Sequence, residues 1–214
     1  MDHHHAFDSW FGRSFYRVSV LMKLERVVKE KQKVTVTVEG EEYALHPFVW
    51  AQFAVFEGEE VDIEKLVSLS DREYALQAAL GYATKYQRTR FQVSQYLERK
   101  DLPVTEELLN QLEEWGVIDD FSFALNYAQS LRGKNGPYYI RAKLAEKGIS
   151  QEIIHRLDLD ENPDVMEEIL RKKYGNWEDI SVKECMKRQK FLVGRGFSFE
   201  SSRKTVEKMK KASK

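Results

Sequence analysis

Three segments share one pattern: Leu97-Glu98-Arg99-Lys100-Asp101-Leu102-Pro103, Leu144-Ala145-Glu146-Lys147-Gly148-Ile149-Ser150 and Leu192-Val193-Gly194-Arg195-Gly196-Phe197-Ser198. Their leading leucines follow one another at intervals of 47 and 48 residues. In each, a leucine near a helix end precedes a basic residue and a break, and an apolar residue stands two places after the basic one. A period of this length marks supersecondary units that complete their cores by stacking on neighbours. From Asp71 onward the apolar positions recur with a helical period, and only Pro103 and Pro137 interrupt the stretch before residue 163. The spacing predicts helices over 71–86, 90–101, 104–115, 120–132, 137–147, 150–157, 163–174, 181–194 and 199–211. Capping residues mark several starts: Ser70 or Asp71, Thr105, Ser150 with Glu152 behind it, and Ser198. Nine short helices group in threes, as repeats over 71–118, 119–162 and 163–214.

The chain before residue 71 has a different period. Val18, Val20, Met22 and Leu24 alternate with more polar positions, as do Val34, Val36 and Val38 with Thr35 and Thr37. Five consecutive β-branched residues make the second a strong strand signal. Glu39-Gly40-Glu41 reads as a turn, and Tyr43 and Leu45 continue on the return strand. Pro47 suits the first position of a helix carrying Phe48, Val49, Phe53 and Ala54, and Val61 to Leu69 reads as a second short helix. A hairpin alone is marginal, so Phe48, Val49 and Phe53 are expected to cover it. The fold class is therefore mainly α. A small N-terminal β-hairpin/α+β unit (17–70) precedes three tandem three-helix repeats in an elongated, curved array. Residues 1–16 form a flexible leader.

Composition narrows the function classes. A chain of 214 residues with 12 Phe, 10 Tyr and 4 Trp has the means to build real cores. No apolar run approaches the ~20 residues that span a bilayer. The first residues lack a signal peptide's uninterrupted apolar stretch. The lone Cys185 excludes an internal disulfide and a cysteine-rich zinc site, which points to the cytosol.

Candidate chemistry is sparse. No GxxxxGK[ST] or GxGxxG phosphate loop occurs. Gly133-Lys134-Asn135-Gly136 reads as a connector before an anion cradle, and Asp119-Asp120 as a helix cap with first-turn charge before an acid–base pair. His3, His4 and His5 read as a leader, His46 and His155 stand isolated, and Cys185 reads as a buried thiol. Neither a catalytic group, a metal site nor a cofactor is expected.

Charge is more informative. The net value of −1 hides a gradient: residues 1–70 hold 8 Lys+Arg against 12 Asp+Glu, whereas residues 163–214 hold 14 against 8. Lys183, Lys187 and Lys190 share one helical arc, extended by Arg188 and Arg195. Val182, Met186, Leu192 and Val193 lie opposite, toward the expected core. Tyr139, Lys143 and Lys147 recur at i, i+4 and i+8. Such faces suit phosphates, bases or an acidic protein groove, and equally serve as solvated faces of a helical array.

Two motifs bring a family into view. Gly116-Val117-Ile118-Asp119-Asp120-Phe121-Ser122-Phe123-Ala124 resembles the glycine–apolar–apolar–Asp–Asp–x–x–Phe–Ala segment of RecX proteins. Gly136-Pro137-Tyr138-Tyr139-Ile140-Arg141-Ala142-Lys143-Leu144 is similar to that family's Gly-Pro–x–x–Ile-Arg–x–x–Leu segment, again followed by Lys147-Gly148-Ile149. The resemblance covers about 71–211. It departs from the family at the aromatic leader, at Tyr138 and Tyr139, where basic residues are common, and at the polar connection Gly175–Asp179. What it implies is a cytoplasmic, monomeric, non-enzymatic regulator without cofactor. Its partners would be the RecA recombinase and the RecA filament on single-stranded DNA, with weak direct DNA binding and no membrane. It would dampen ATP hydrolysis, strand exchange and filament growth. The alternative is a helical single-strand-binding module acting without RecA, and a third is a protein scaffold. Contacts to partner or nucleic acid are expected at Arg132, Lys134, Tyr139, Arg141, Lys143, Lys147, Lys183, Lys187, Arg188, Lys190 and Arg195.

Overall fold

A computed structural model describes residues 21–53 and 55–213. The expected leader, its His run and the strand positions Val18 and Val20 lie outside the described residues. The chain divides into two compact units, up to Glu73 and from Tyr74.

In the first unit β1 (Met22–Lys29), β2 (Val34–Val38) and β3 (Glu41–Leu45) form an antiparallel meander, and β4 (Glu60–Val61) closes the far edge, giving the order β3-β2-β1-β4. The β2–β3 turn is tight because Glu39 (φ 50°) and Gly40 (φ 79°) both adopt the left-handed conformation that a two-residue hairpin requires. Alternation puts Val34, Val36 and Val38 on the buried face, with Leu24 and Leu45. The sheet thus has four strands, where the sequence pattern read a two-stranded hairpin plus one strand. Over it lies α1 (Pro47–Phe53). Its buried residues are Val49 and Trp50, whereas Phe48 and Phe53, expected beside Val49, are exposed. The buried His46 sets the start of α1 by accepting from the Phe48 amide through Nδ1 at 3.2 Å.

One long helix, α2 (Ile63–Ala83), replaces the two expected over 61–69 and 71–86. Neither Gly nor Pro separates them, and Ser70 is fully buried within the helix instead of capping a new one. The remaining helices are α3 (Arg90–Glu98), α4 (Glu106–Glu114), α5 (Asp120–Arg132), α6 (Pro137–Glu146), α7 (Gln151–Arg156), α8 (Pro163–Lys173), α9 (Val182–Gly194) and α10 (Phe199–Lys211). The protein is mainly α, with a small N-terminal antiparallel sheet. Three cores follow in order: Ala75 to Ile118, Ala124 to Leu159 and Met166 to Met209. Among the described residues no helix is long and apolar enough to cross a membrane.

The sequence repeat has a structural cause. At the ends of α3, α6 and α9 the amides of Leu102, Ile149 and Phe197 donate to the carbonyls of Leu97, Leu144 and Leu192 at 3.1, 3.1 and 3.2 Å. The intervening Asp101, Gly148 and Gly196 are left-handed. This is one Schellman loop three times over, with an apolar residue pinned back toward the leucine. Two of the loops then receive the start of an earlier helix. Thr89, the N-cap of α3, donates its hydroxyl to the Lys147 carbonyl at 2.7 Å. At the start of α6, the amides of Gly136 and Tyr138 donate to the carbonyls of Arg195 and Gly196 at 2.8 and 3.0 Å. A Cβ on Gly148 would come closer than 3.0 Å to the Phe91 side chain, and one on Gly196 equally close to Tyr139, backbone included.

Side chains reinforce the joints. The Asp120 carboxylate accepts from the Arg90 amide at 2.8 Å. Burial pushes the Asp120 carboxyl up from its ordinary value, and that hydrogen bond only partly offsets it. Glu161, between α7 and α8, accepts from both the amide and the hydroxyl of Ser198, the N-cap of α10. Burial opposes the Glu161 charge, but hydrogen bonds from Ser201 and Ser198 prevail and hold its carboxyl below the ordinary value.

Two tests follow. Gly116 (φ 67°) has open space around its would-be Cβ, so Gly116→Ala should cost only the left-handed backbone term of about 1–2 kcal/mol. Gly148→Ala and Gly196→Ala should cost more in chemical denaturation, and equal losses at all three sites would show that the joints are loose. A group whose folded pKa is depressed stabilises the fold above its unfolded value, here 4.5, and that contribution is lost as pH falls through the lower folded value. Glu161→Gln should therefore lower the melting temperature at neutral pH and lose less stability than the parent across that acidic window.

Candidate partner interface

In the third repeat α8 and α10 engage many of their cations internally. Lys172 meets Glu168 at 2.6 Å, Lys204 meets Glu200 at 2.6 Å, and the buried Glu167 takes both Arg171 at 3.0 Å and Lys208 at 2.5 Å. On α9 Lys183, Lys187 and Lys190 are exposed on one arc, as expected. Lys187 sits 3.8 Å from Glu184, while Lys183 and Lys190 make no ion pair among the described residues. Lys173, Lys210 and Lys211 likewise make no ion pair among the described residues, but only on α9 do unpaired lysines share an arc along the helix.

Arg188 does not join it. It is only 5% exposed, stacked on Trp177 at 4.2 Å and Tyr174 at 4.9 Å, with Nη2 donating to the Asn176 carbonyl at 2.8 Å. The guanidinium holds the polar connection after α8 against the core, so its role is packing and not contact. The sequence pattern placed it on the basic face because a helical wheel assigns charge to solvent. The same assignment fails for Val182, Met186 and Val193, which are 68%, 57% and 40% exposed; Leu192 alone of that expected arc is buried. Cys185 is half-buried.

The second-repeat candidates are distributed around the joints. Tyr139 is half-buried against Gly196 and lies under the Lys143 ammonium at 5.7 Å. Lys143 also pairs with Glu146 at 2.6 Å, and that hydrogen bond raises its pKa. Lys147 serves the α3 joint through its carbonyl, and its side chain is half-buried. Arg141 is exposed, with Nη2 3.4 Å from the Leu159 carbonyl and its charge helping to hold Glu161 ionised. Arg132, in the last turn of α5, lines a cavity of about 320 Å³ with Asp158 and Asp160.

Lys134 and Arg195 do come together, with Arg195 Nη1 3.4 Å from the Lys134 carbonyl. With Lys172 and Lys173, which the sequence reading missed, they line a cleft of about 410 Å³. All four stand at the ends of α5, α8 and α9, where cations complement the helix dipole. A last-turn Lys-Lys pair was the available signal. Also missed was the exposed Tyr86, 5.5 Å from the Arg88 guanidinium, which in turn stacks on Tyr82 at 4.6 Å.

The remaining candidates resolve as structure. The amides of Lys134 and Asn135 donate to Leu131 and that of Gly136 to Arg195, so the Gly133–Gly136 loop has no free amide cradle. Asp119 caps α5, accepting from the Ser122 amide at 2.8 Å and hydroxyl at 2.6 Å. Those bonds, side chain first, lower its pKa.

Comparison with known proteins agrees with this architecture. Residues 119–156 match the family model described as RecX, second three-helix domain. Regulatory protein RecX of Clostridium tetani is 26% identical over 210 residues, covering 90% of this chain and 95% of that one. The Streptococcus gordonii protein of the same description is 28% identical over 196 residues, covering 85% and 75%. Among solved structures, a regulatory protein RecX superposes with a TM-score of 0.63 at 24% identity, over 90% of this chain and all of that one. RecX from Lactobacillus salivarius superposes with 0.55 at 24% identity, over 65% and 96%. Residues 119–156 thus match the second three-helix domain of RecX, and over most of its length the chain is similar to proteins described as regulatory protein RecX.

Proposed function

We propose that this protein is a cytoplasmic, non-catalytic regulator that binds the RecA filament on single-stranded DNA and dampens its ATP hydrolysis, strand exchange and growth, acting as a monomer. The observation that carries the reading is the row Lys183, Lys187 and Lys190. It lies exposed on a helix of a repeat with a balance of +6, while neighbouring helices engage many of their cations in ion pairs. Exposed pairs contribute little stability, yet they cancel the local field, so a row with two of its three lysines unpaired is where an anionic assembly would be attracted. The cleft of Lys134, Lys172, Lys173 and Arg195 supports a role for phosphate groups beside protein contacts. If that cleft alone mattered, the protein would bind bare single strands steeply with salt and need no RecA.

The primary measurement is RecA ATPase on single-stranded DNA with the protein added substoichiometrically; unchanged rate and filament length would sink the reading. Lys183→Glu, Lys187→Glu and Lys190→Glu together should weaken filament binding at low salt without lowering the melting temperature. The deficit should shrink at high salt, where exposed charges are screened within about 8–10 Å. The same reversals at the exposed Lys23, Lys29 and Lys31 should do little. Arg188→Ala should behave differently, costing about 2 kcal/mol or more of fold stability through the lost desolvated stacking.

A further inference from the structure

The exposed half of α9 is not the polar surface that a solvated helix presents. Val182, Met186 and Val193 fall on one line along the helix, at i, i+4 and i+11, and all three are exposed. Gln189 lies on the same line, and its Nε2 donates to the carbonyl of Phe199 at 3.3 Å, which brings the 68% exposed Phe199 beside the row. The immediately adjacent line carries Lys183, Lys187 and Lys190. Single apolar side chains on a surface are ordinary, but a contiguous row marks an interaction site. Meanwhile the inner face of α9 buries Arg188, whose Nε and Nη1 have no hydrogen-bond partner. The core side of the helix is taken by Leu192 and Arg188. The repeat keeps a buried arginine and leaves an apolar row uncovered.

We propose that this row is a docking face for an acidic, apolar-patterned protein segment. Its apolar side chains would seat between Val182, Met186, Val193 and Phe199, and its carboxylates would face Lys183, Lys187 and Lys190. Charge complementarity sets the sign of the partner, since the cationic flank is continuous and two of its three lysines lack an ion pair among the described residues. Nucleic acid fits this face less well. Phosphates gain nothing from aliphatic side chains, and bases stack on aromatic faces, of which the row offers Phe199 alone. The inference rests on the filament reading above and assigns α9 to the protein subunit of the filament, not to its DNA.

The test uses the full chain with Val182→Ser, Met186→Ser and Val193→Ser combined, and Phe199→Ser separately in case the triple variant folds poorly. Affinity is measured for RecA filaments on single-stranded DNA, for RecA without DNA and for a bare single-stranded oligonucleotide. Filament binding should weaken about tenfold or more, with the salt dependence of the parent and unchanged binding to the bare strand. Lys183→Gln, Lys187→Gln and Lys190→Gln should instead flatten the salt dependence. Unchanged filament affinity in both apolar variants overturns the inference and leaves the filament reading standing. An equal loss on the bare strand also overturns it and makes α9 a nucleic-acid face. A parent protein that binds no filament removes the functional reading and this inference together.

Discussion

Every helix ends with unpaired donors at one terminus and unpaired acceptors at the other, and in this chain successive repeats solve both problems with one contact. The start of a second helix lies against the Schellman loop that ends the second helix of the following repeat. Thr89 reaches the Lys147 carbonyl, and the amides of Gly136 and Tyr138 reach the carbonyls of Arg195 and Gly196. Positive helix ends meet negative ones, so the macrodipoles add to the hydrogen bonds. The close approach in turn fixes the residue type: Gly148 and Gly196 lie against Phe91 and Tyr139. At the corresponding turn of the first repeat the exposed Asp101 takes the left-handed conformation at φ 54°. The repeat spacing of 47 and 48 residues is the distance along the chain from one such loop to the next.

The joints explain where much of the charge goes. Asp120 is bound to the backbone of Arg90, whose guanidinium also holds Glu106 and Glu113 at 2.5 and 2.9 Å. Glu161 holds the start of α10, with the Arg141 charge assisting. Lys147 contributes its carbonyl, and Arg195 both its carbonyl and its guanidinium. Much of the charge of the second repeat is therefore structural, and a contact surface has to be sought where cations remain uncommitted. Lys183 and Lys190 of α9 meet that condition, as do Lys173, Lys210 and Lys211, and those of α9 lie along one arc beside Lys187.

The helices were legible because their signals are local. Capping residues and period placed α3 to α10 within a few residues of their observed bounds, and the threefold loop was visible as a repeat. The break expected at Ser70 was absent because a serine fits a buried helical position as well as a cap, and only tertiary packing decides. The covering of the sheet was half legible: Val49 turned inward, but Trp50 took the place expected for Phe48 and Phe53. The site was least legible. A helical wheel sorts residues by polarity, and α9 violates that rule because Trp177 and Tyr174 build an aromatic box for Arg188 from a connection with no periodicity of its own. Lys172 and Lys173 escaped notice because the ends of α5, α8 and α9 converge only in three dimensions.

The aromatic box and the joint act on the same helix, and together they determine what α9 can present. Its C-terminal loop is fixed to the start of α6 through Arg195 and Gly196, and its middle is fixed to the α8–α9 connection through Arg188. A helix held at two points about two turns apart cannot easily roll to hide Val182, Met186 and Val193. Rolling the helix inward would expose the fully buried Leu192 and break both the Arg188 contacts and the two backbone hydrogen bonds to α6. The apolar row is thus held outward by the repeat's own packing. A face kept in its binding orientation before a partner arrives avoids much of the ordering cost of association. The same anchors fix the lysine row beside it, so apolar contact and charge would be offered to a partner in one register.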